Sequence, residues 1–150
     1  MKTIIIGADS AGFELKELLK EHLTEQGFRV LDVGCDSTAS CHYPIFASAV
    51  ATAVQADRDA LGILVCGTGI GMSMVANKYH GIRAAVCGDT FSARMTRMHN
   101  DANVLCLGAR VIGAGLARDI VDLFTSTEFE GGRHATRVDM ITKIENGETL

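Results

Sequence analysis

The centre of the chain reads Leu61-Gly62-Ile63-Leu64-Val65-Cys66-Gly67-Thr68-Gly69-Ile70-Gly71, an apolar run that leads directly into a glycine-rich one. Residues 61–65 are typical of a strand buried on both faces, because such parallel strands are apolar at every position. The glycines that follow Cys66 predict a tight turn, and a helix is expected from about Gly71 to Lys78. We therefore expect Cys66 to lie at the carboxyl end of a buried strand, where a helix begins.

Similar apolar runs predict four more strands, at residues 3–6, 29–33, 84–87 and 104–107. The segments between them have helical spacing. Helices are expected from Phe13 to a stop before Gly27, from Pro44 through Val54, and at about 90–99, 113–124 and 133–145. This alternation predicts an α/β fold with a five-stranded parallel sheet covered by helices on both faces. Residues 1–150 are expected to form a single domain.

Composition excludes several classes of protein. Apolar residues make up 47% of the chain and charged residues 21%, which is typical of a folded globular protein rather than a disordered one. The formal net charge of -4 disfavours a nucleic-acid surface, because binding to a phosphate backbone needs a basic excess. The first residues lack the apolar stretch of a signal peptide or membrane span, and the odd number of cysteines, 5, does not match a paired disulfide framework. We expect a cytoplasmic protein with reduced thiols.

Cys66 is the strongest candidate for a reactive side chain. Successive N–H groups of the glycine-rich turn can form an anion-binding concavity at a helix start, and this environment favours a thiolate. A small buried apolar residue at a strand end is the alternative interpretation of the same cysteine.

The glycine-rich loop does not match a nucleotide-binding motif. A dinucleotide fingerprint would need its third glycine at position 72, where the chain has Met72, and no G-K-[ST] follows. What remains is a loop whose N–H groups could hold an oxyanion, with Thr68 supplying a hydroxyl.

His99 and Asn100 precede the last predicted strand. A histidine can give and take a proton near neutral pH, so His99 could open a sugar ring while Asn100 orients a hydroxyl. The alternative is a histidine that simply interacts with the dipole at a helix C-terminus.

Two arginines stand four residues apart in Gly131-Gly132-Arg133-His134-Ala135-Thr136-Arg137. On a helix they would share one face, and paired guanidinium groups suit a phosphate. Arg110, just after a predicted strand, is a third candidate cation. A solvated basic helix face is the alternative.

No metal site is predicted. Cys35, Cys41 and His42 match no structural zinc spacing and lack a second chelating pair.

Taken together, six motifs in this order resemble the family of ribose-5-phosphate isomerase type B and galactose-6-phosphate isomerase. They are Gly7-Ala8-Asp9-Ser10-Ala11-Gly12, His42-Tyr43-Pro44, Cys66-Gly67-Thr68-Gly69-Ile70-Gly71, Asn77-Lys78, His99-Asn100-Asp101-Ala102-Asn103-Val104 and Gly131-Gly132-Arg133-His134. The resemblance covers nearly the whole chain. It implies a Rossmann-like α/β/α sandwich, a homodimer or homotetramer with active sites shared between subunits, and neither a metal nor an organic cofactor.

The resemblance also implies a role for each matching residue. Cys66 matches the base, Thr68 and the N–H groups of Gly67, Gly69, Ile70 and Gly71 match the oxyanion loop, and His99 matches the acid/base that opens the ring. Asp9, Ser10 and Asn100 match positions that contact the sugar. Arg110, Arg133, His134 and Arg137 match the set that contacts the phosphate.

The expected activity is an aldose–ketose isomerisation of a sugar phosphate through a cis-enediolate, with ribose 5-phosphate and ribulose 5-phosphate as the first pair. Ser10 stands where type B ribose-5-phosphate isomerases usually have histidine, which leaves galactose 6-phosphate, allose 6-phosphate or a tetrulose phosphate as alternatives. A non-catalytic subunit that binds a nucleotide or a sugar phosphate is the alternative from another class.

Overall fold

The computed structural model of the protein describes residues 2–150, in which each of five strands is followed by a helix and a sixth helix follows the fifth. The strands are β1 (Thr3–Ala8), β2 (Arg29–Asp32), β3 (Leu61–Cys66), β4 (Ala84–Val86) and β5 (Val104–Gly108). The helices are α1 (Phe13–Glu25), α2 (Tyr43–Ala56), α3 (Ile70–Ala76), α4 (Thr90–Asn100), α5 (Ala114–Ser126) and α6 (Arg133–Glu145). The predicted strands and helices are confirmed, with small shifts at their ends.

The strands form one parallel sheet in the order β2-β1-β3-β5-β4. The central strand β3 is buried at every position, as its apolar sequence predicts. Near its carboxyl end, Val65 pairs with Ala8 of β1 and Cys66 pairs with Gly108 of β5. The loops after β1, β3 and β5 therefore lie side by side at one edge of the sheet.

Helices cover both faces of the sheet, which confirms the predicted α/β/α layers. Alternate residues of β3 point to opposite faces. Ile63 and Val65 pack in a core with residues of α1, α4 and α5, whereas Leu64 and Cys66 pack in a second core with residues of α2 and α3. The side chain of Cys66 thus lies on the α2/α3 face.

The end of α4 and the start of α6 lie at the opposite, amino edge of the sheet. Arg83 directly precedes β4, and its Nε donates a hydrogen bond to the carbonyl of Asp101 over 2.8 Å. The N–H of Glu130, just before α6, donates to the carbonyl of Met98 over 3.1 Å. This follows from the topology, because each helix must run back from the carboxyl edge before the next parallel strand begins.

An ion pair with a buried ammonium joins α1 to the end of β2. The side chain of Lys16 is fully buried, and its Nζ donates to Asp32 Oδ1 over 2.8 Å and to the carbonyl of Cys35 over 2.6 Å. Burial alone would raise the pKa of Asp32, but hydrogen bonds from Lys16, Lys20 and the Gly34 N–H outweigh it and hold this pKa below its usual value.

Candidate functional site

The thiol of Cys66 lies at the carboxyl end of β3 and is held by the loop that follows. Its Sγ accepts a hydrogen bond from the N–H of Gly69 over 3.1 Å. The residue is 6% exposed and is buried at the end of the α2/α3 core.

The glycine-rich loop depends on one residue with a positive φ angle. Gly69 has φ +81°, a conformation that residues with a Cβ rarely adopt, and this conformation precedes the first turn of α3. The hydroxyl Oγ1 of Thr68 accepts a hydrogen bond from the N–H of Ile70 over 3.2 Å. The N–H groups of Gly69 and Ile70 therefore donate within this segment, to the Cys66 sulfur and to the Thr68 hydroxyl.

Three other N–H groups of this loop are open. Within residues 2–150, those of Gly67, Thr68 and Gly71 donate to no protein acceptor. Exposed N–H groups beside a sulfur can stabilise a negative charge that develops on a bound oxygen.

Asp9 and Ser10 lie beside the end of β3. The N–H of Asp9 donates to the carbonyl of Val65 over 3.2 Å, and Asp9 Oδ1 accepts from the N–H of Gly12 over 3.0 Å. Gly12 is required there, since a Cβ at this position would lie 2.3 Å from the Val65 carbonyl oxygen. Asp9 and Ser10 are both half-buried at this edge, next to Cys66.

Arg110 places a cation at the same edge. It follows β5, and its N–H donates to the carbonyl of Gly67 over 3.0 Å. Its side chain lies next to Gly67, within 3.5 Å of the position that a Cβ there would occupy. The sequence-predicted residues Asp9, Ser10, Cys66, Thr68 and Arg110 are thus brought together with the glycine-rich loop.

The remaining predicted residues form a second group at the amino edge of the sheet. His99 and Asn100 are the last two residues of α4, and the first two turns of α6 contain Arg133, His134 and Arg137. The imidazole rings of His99 and His134 are stacked, with centroids 4.1 Å apart and planes inclined by 10°. Within one chain, this group lies across the sheet from Cys66.

The second group carries positive charge around a buried imidazole. His134 is buried, whereas Arg133 and Arg137 are exposed on successive turns of α6, as their spacing predicts. Burial lowers the pKa of His134, and the nearby His99 and Arg133 lower it further. This concentration of cationic side chains suits an anionic ligand.

Sequence reasoning missed two residues in these groups. Glu130 lies in the loop before α6, with its Oε2 3.3 Å from His134 Nε2. Tyr43 packs against the glycine-rich loop so closely that a Cβ on Gly71 would lie 2.6 Å from its ring. The spacing of four residues between Glu130 and His134 could have indicated this contact. Tyr43 belongs to one of the family-like motifs but was given no role of its own.

Comparison with known proteins decides the family. Residues 4–141 match the family model described as Ribose/Galactose Isomerase. The chain belongs to the Ribose/Galactose Isomerase family. The resemblance inferred from six motifs is therefore confirmed.

Two curated proteins are among the relatives of this Ribose/Galactose Isomerase family member. Ribose-5-phosphate isomerase B of Escherichia coli is 50% identical over 145 residues, which cover 97% of each chain. D-erythrulose-4-phosphate isomerase of Pectobacterium atrosepticum is 46% identical over 149 residues, which cover 99% of this chain and 98% of the relative.

Two solved structures have the same fold. Ribose-5-phosphate isomerase B of Clostridium thermocellum superimposes with a TM-score of 0.95 at 50% identity, covering 97% of this chain and 98% of that one. The enzyme of the same name from Mycoplasma genitalium, solved with bound ribulose-5-phosphate, gives a TM-score of 0.93 at 42% identity, covering 96% of each chain. The Rossmann-like fold predicted for this family member is confirmed. No helix within residues 2–150 is both long enough and apolar enough to cross a membrane.

Proposed function

We propose that the protein interconverts ribose 5-phosphate and ribulose 5-phosphate, with Cys66 as the base that removes the proton next to the carbonyl. The observation that carries this proposal is the hydrogen bond from the Gly69 N–H to Cys66 Sγ, in a chain 50% identical to a ribose-5-phosphate isomerase B. The related enzyme of Mycoplasma genitalium, which was solved with bound ribulose-5-phosphate, supports the substrate class.

The cis-enediolate is the difficult species in this reaction, because its negative charge must be stabilised as the proton leaves. The open N–H groups of Gly67, Thr68 and Gly71 are donors that need no rearrangement to meet this charge. Loss of one such donor typically costs about 3 kcal/mol of transition-state stabilisation. Reprotonation at the neighbouring carbon completes the isomerisation.

The complete site requires two copies of the chain. His99 and Asn100 lie at the amino edge of the sheet, whereas Cys66 lies at the carboxyl edge on the α2/α3 face. His99 therefore cannot assist ring opening at Cys66 of its own chain. A homodimer in which α4 and α6 of one subunit approach the Cys66 loop of the other joins the two groups.

An exposed apolar surface beside Cys66 suits this contact. It consists of side chains on α2 and α3, namely Tyr43, Ile45, Ile70 and Met74, which are 39%, 61%, 51% and 65% exposed. Apolar side chains clustered in this way mark an interaction surface. A two-fold dimer would cover two such surfaces and form two identical sites.

The phosphate would then be held by residues of both subunits, Arg110 from one and Arg133, His134 and Arg137 from the other. The sugar hydroxyls would contact Asp9, Ser10 and Asn100. Anchoring the phosphate fixes the reacting carbons near the thiol. Plain sugars should therefore be poor substrates.

A tetrulose phosphate is the second candidate substrate. The 46% identical relative is named D-erythrulose-4-phosphate isomerase, and Ser10 replaces the histidine usual in type B ribose-5-phosphate isomerases. A nucleotide-binding role has no support among the reported relatives, which are named isomerases.

A coupled aldose–ketose assay of the purified protein over four- to six-carbon sugar phosphates tests the proposal. We expect the highest kcat/KM on ribose 5-phosphate. A higher value on D-erythrulose 4-phosphate would support the second candidate, and no turnover on the whole panel would contradict an isomerase.

A further inference from the structure

Glu130, in the loop before α6, contacts both helices that carry the amino-edge group of site residues. Its N–H donates to the carbonyl of Met98 over 3.1 Å, in the last turn of α4 and next to His99. Its Oε2 lies 3.3 Å from Nε2 of His134, in the first turn of α6. The backbone of Glu130 therefore fixes the loop, and its carboxylate is placed to act on His134.

The carboxylate decides which nitrogen of His134 carries a proton. Within residues 2–150 neither ring nitrogen makes a hydrogen bond, but only Nε2 is enclosed by protein. A carboxylate favours the tautomer with the proton on the nitrogen nearest to it, because the N–H dipole then points at the negative charge. The proton therefore lies on Nε2, and Nδ1 is the nitrogen that a ligand can reach.

The charges around His134 oppose its protonation, with one exception. Burial lowers the pKa of its imidazole, and the charges of His99, Arg133 and Arg137 lower it further. Among the described residues, Glu130 is the one acidic group that raises this pKa. The carboxylate therefore supports the imidazolium form in surroundings that are otherwise cationic.

The imidazolium form of His134 is the one that a phosphate needs. When Nε2 carries the only proton, Nδ1 presents a lone pair, which repels an anionic phosphate oxygen. In the imidazolium form Nδ1 is an N–H donor and makes a charge-assisted hydrogen bond to that oxygen. Loss of the carboxylate would thus weaken phosphate binding without altering any residue that touches the phosphate.

We propose that Glu130 is a positioning residue for the phosphate, which holds Nε2–H of His134 and keeps Nδ1–H available as a donor to the substrate. Glu130 itself touches no reacting atom and acts through the imidazole. This inference rests on the proposed function, in which His134 contacts the phosphate.

Glu130→Gln in the purified full-length protein tests this role, because it removes the charge while keeping the size of the side chain and the backbone hydrogen bond to Met98. Glu128→Gln is the matched control, since Glu128 is an exposed carboxylate of the same loop that is not among the charges acting on His134. Histidine NMR follows the titration of His134, whose signal is assigned with His134→Asn. Inorganic phosphate is the ligand probe, and kcat and KM on ribose 5-phosphate are measured from mildly acidic to mildly alkaline pH.

We expect His134 to titrate at a lower pH in Glu130→Gln than in the parent. Inorganic phosphate should bind about 10-fold more weakly to this variant at neutral pH, the effect of losing one charge-assisted hydrogen bond. KM should rise by a similar factor with a smaller change in kcat, and the rise should shrink at mildly acidic pH, where His134 is protonated in both proteins. Glu128→Gln should match the parent in every measurement.

A His134 titration and a phosphate affinity that are the same in the two variants would overturn the role of Glu130, whatever the activity of the parent. A parent that turns over no sugar phosphate, but whose phosphate affinity depends on Glu130, would instead support the positioning role and contradict the proposed function alone.

Discussion

The N–H of Gly69 donates a hydrogen bond to Cys66 Sγ over 3.1 Å, so the backbone of the glycine-rich loop holds the proposed base. This contact exists because Gly69, at φ +81°, turns the chain back toward the strand end before α3 begins. The same turn leaves neighbouring N–H groups open. Base and oxyanion donors therefore come from one short loop, and their relative position is fixed by its backbone.

Substitution of the base tests the chemistry. Cys66→Ala should lower kcat by about 10²–10⁴-fold, the usual contribution of a positioned proton-transfer group. Cys87→Ala is the control, a buried thiol beyond β4 that has no assigned role. Steady-state kinetics and circular dichroism measure both. Near-normal turnover by folded Cys66→Ala would show that the base is elsewhere.

The loop backbone can be tested separately from the sulfur. Gly69→Ala should lower the free energy of unfolding by about 1–3 kcal/mol through backbone strain. It should also reduce kcat, because its Cβ would lie 3.0 Å from the Leu107 backbone and shift the N–H from Cys66. Gly81→Ala is the control. Gly81 also has a positive φ angle, +78°, but a Cβ added there would meet no atom within 4 Å. Urea unfolding should show a lower free energy of unfolding in both variants, whereas kcat should fall only in Gly69→Ala. An equal fall in kcat in the two variants would count against a specific role for Gly69.

Mixing of two inactive variants tests the shared site. Cys66→Ala and His99→Asn homodimers should each be inactive, but exchange of subunits should restore about a quarter of the parental activity, because half of the sites in each mixed dimer are intact. The measurement is the activity of an equimolar mixture after partial unfolding and refolding. Activity that stays at the sum of the two variants would indicate sites built within single chains.

The Lys16–Asp32 pair predicts an acid-sensitive contribution to stability. The pKa of Asp32 lies below its usual value, so this contribution is complete above the normal range of an aspartate and is lost as the pH falls toward the folded-state pKa. Asp32→Asn leaves the buried Lys16 ammonium with only the more exposed carboxylate of Glu17, 3.5 Å away, and should cost about 3 kcal/mol at neutral pH.

Lys20→Met is the matched control for that prediction, because Lys20 contacts the same carboxylate from a partly exposed position and should cost about 0–1 kcal/mol. The free energy of unfolding of the parent, Asp32→Asn and Lys20→Met is measured by urea unfolding from neutral to acidic pH. The acid-dependent loss should be smaller in Asp32→Asn than in the parent, and identical pH profiles would exclude Asp32 as its source.

Thiol labelling gives a readout without substrate turnover. Burial raises the pKa of Cys87 to about 11 and also raises that of Cys106, so iodoacetamide at neutral pH should leave both unmodified. Ribose 5-phosphate should slow labelling of Cys66 but not of the partly exposed Cys41. Peptide mass spectrometry measures each site, and protection of both thiols alike would argue against a ligand at Cys66.

The local pattern of the chain determined the strands, the helices and the position of Cys66 before its glycine loop. Continuous apolar runs and helical spacing report how each segment is buried, and glycines report where the backbone turns. The arginine pair of α6 was predictable for the same reason, since a spacing of four residues places both on neighbouring turns.

Only the tertiary structure decided which of these segments meet. A parallel sheet returns each helix to the amino edge, and this separates His99 from Cys66 although both belong to family-like motifs. It also buries Lys16 against Asp32 and stacks His99 on His134. Such contacts join residues on different elements, and their distances depend on how the elements pack, which no local periodicity records.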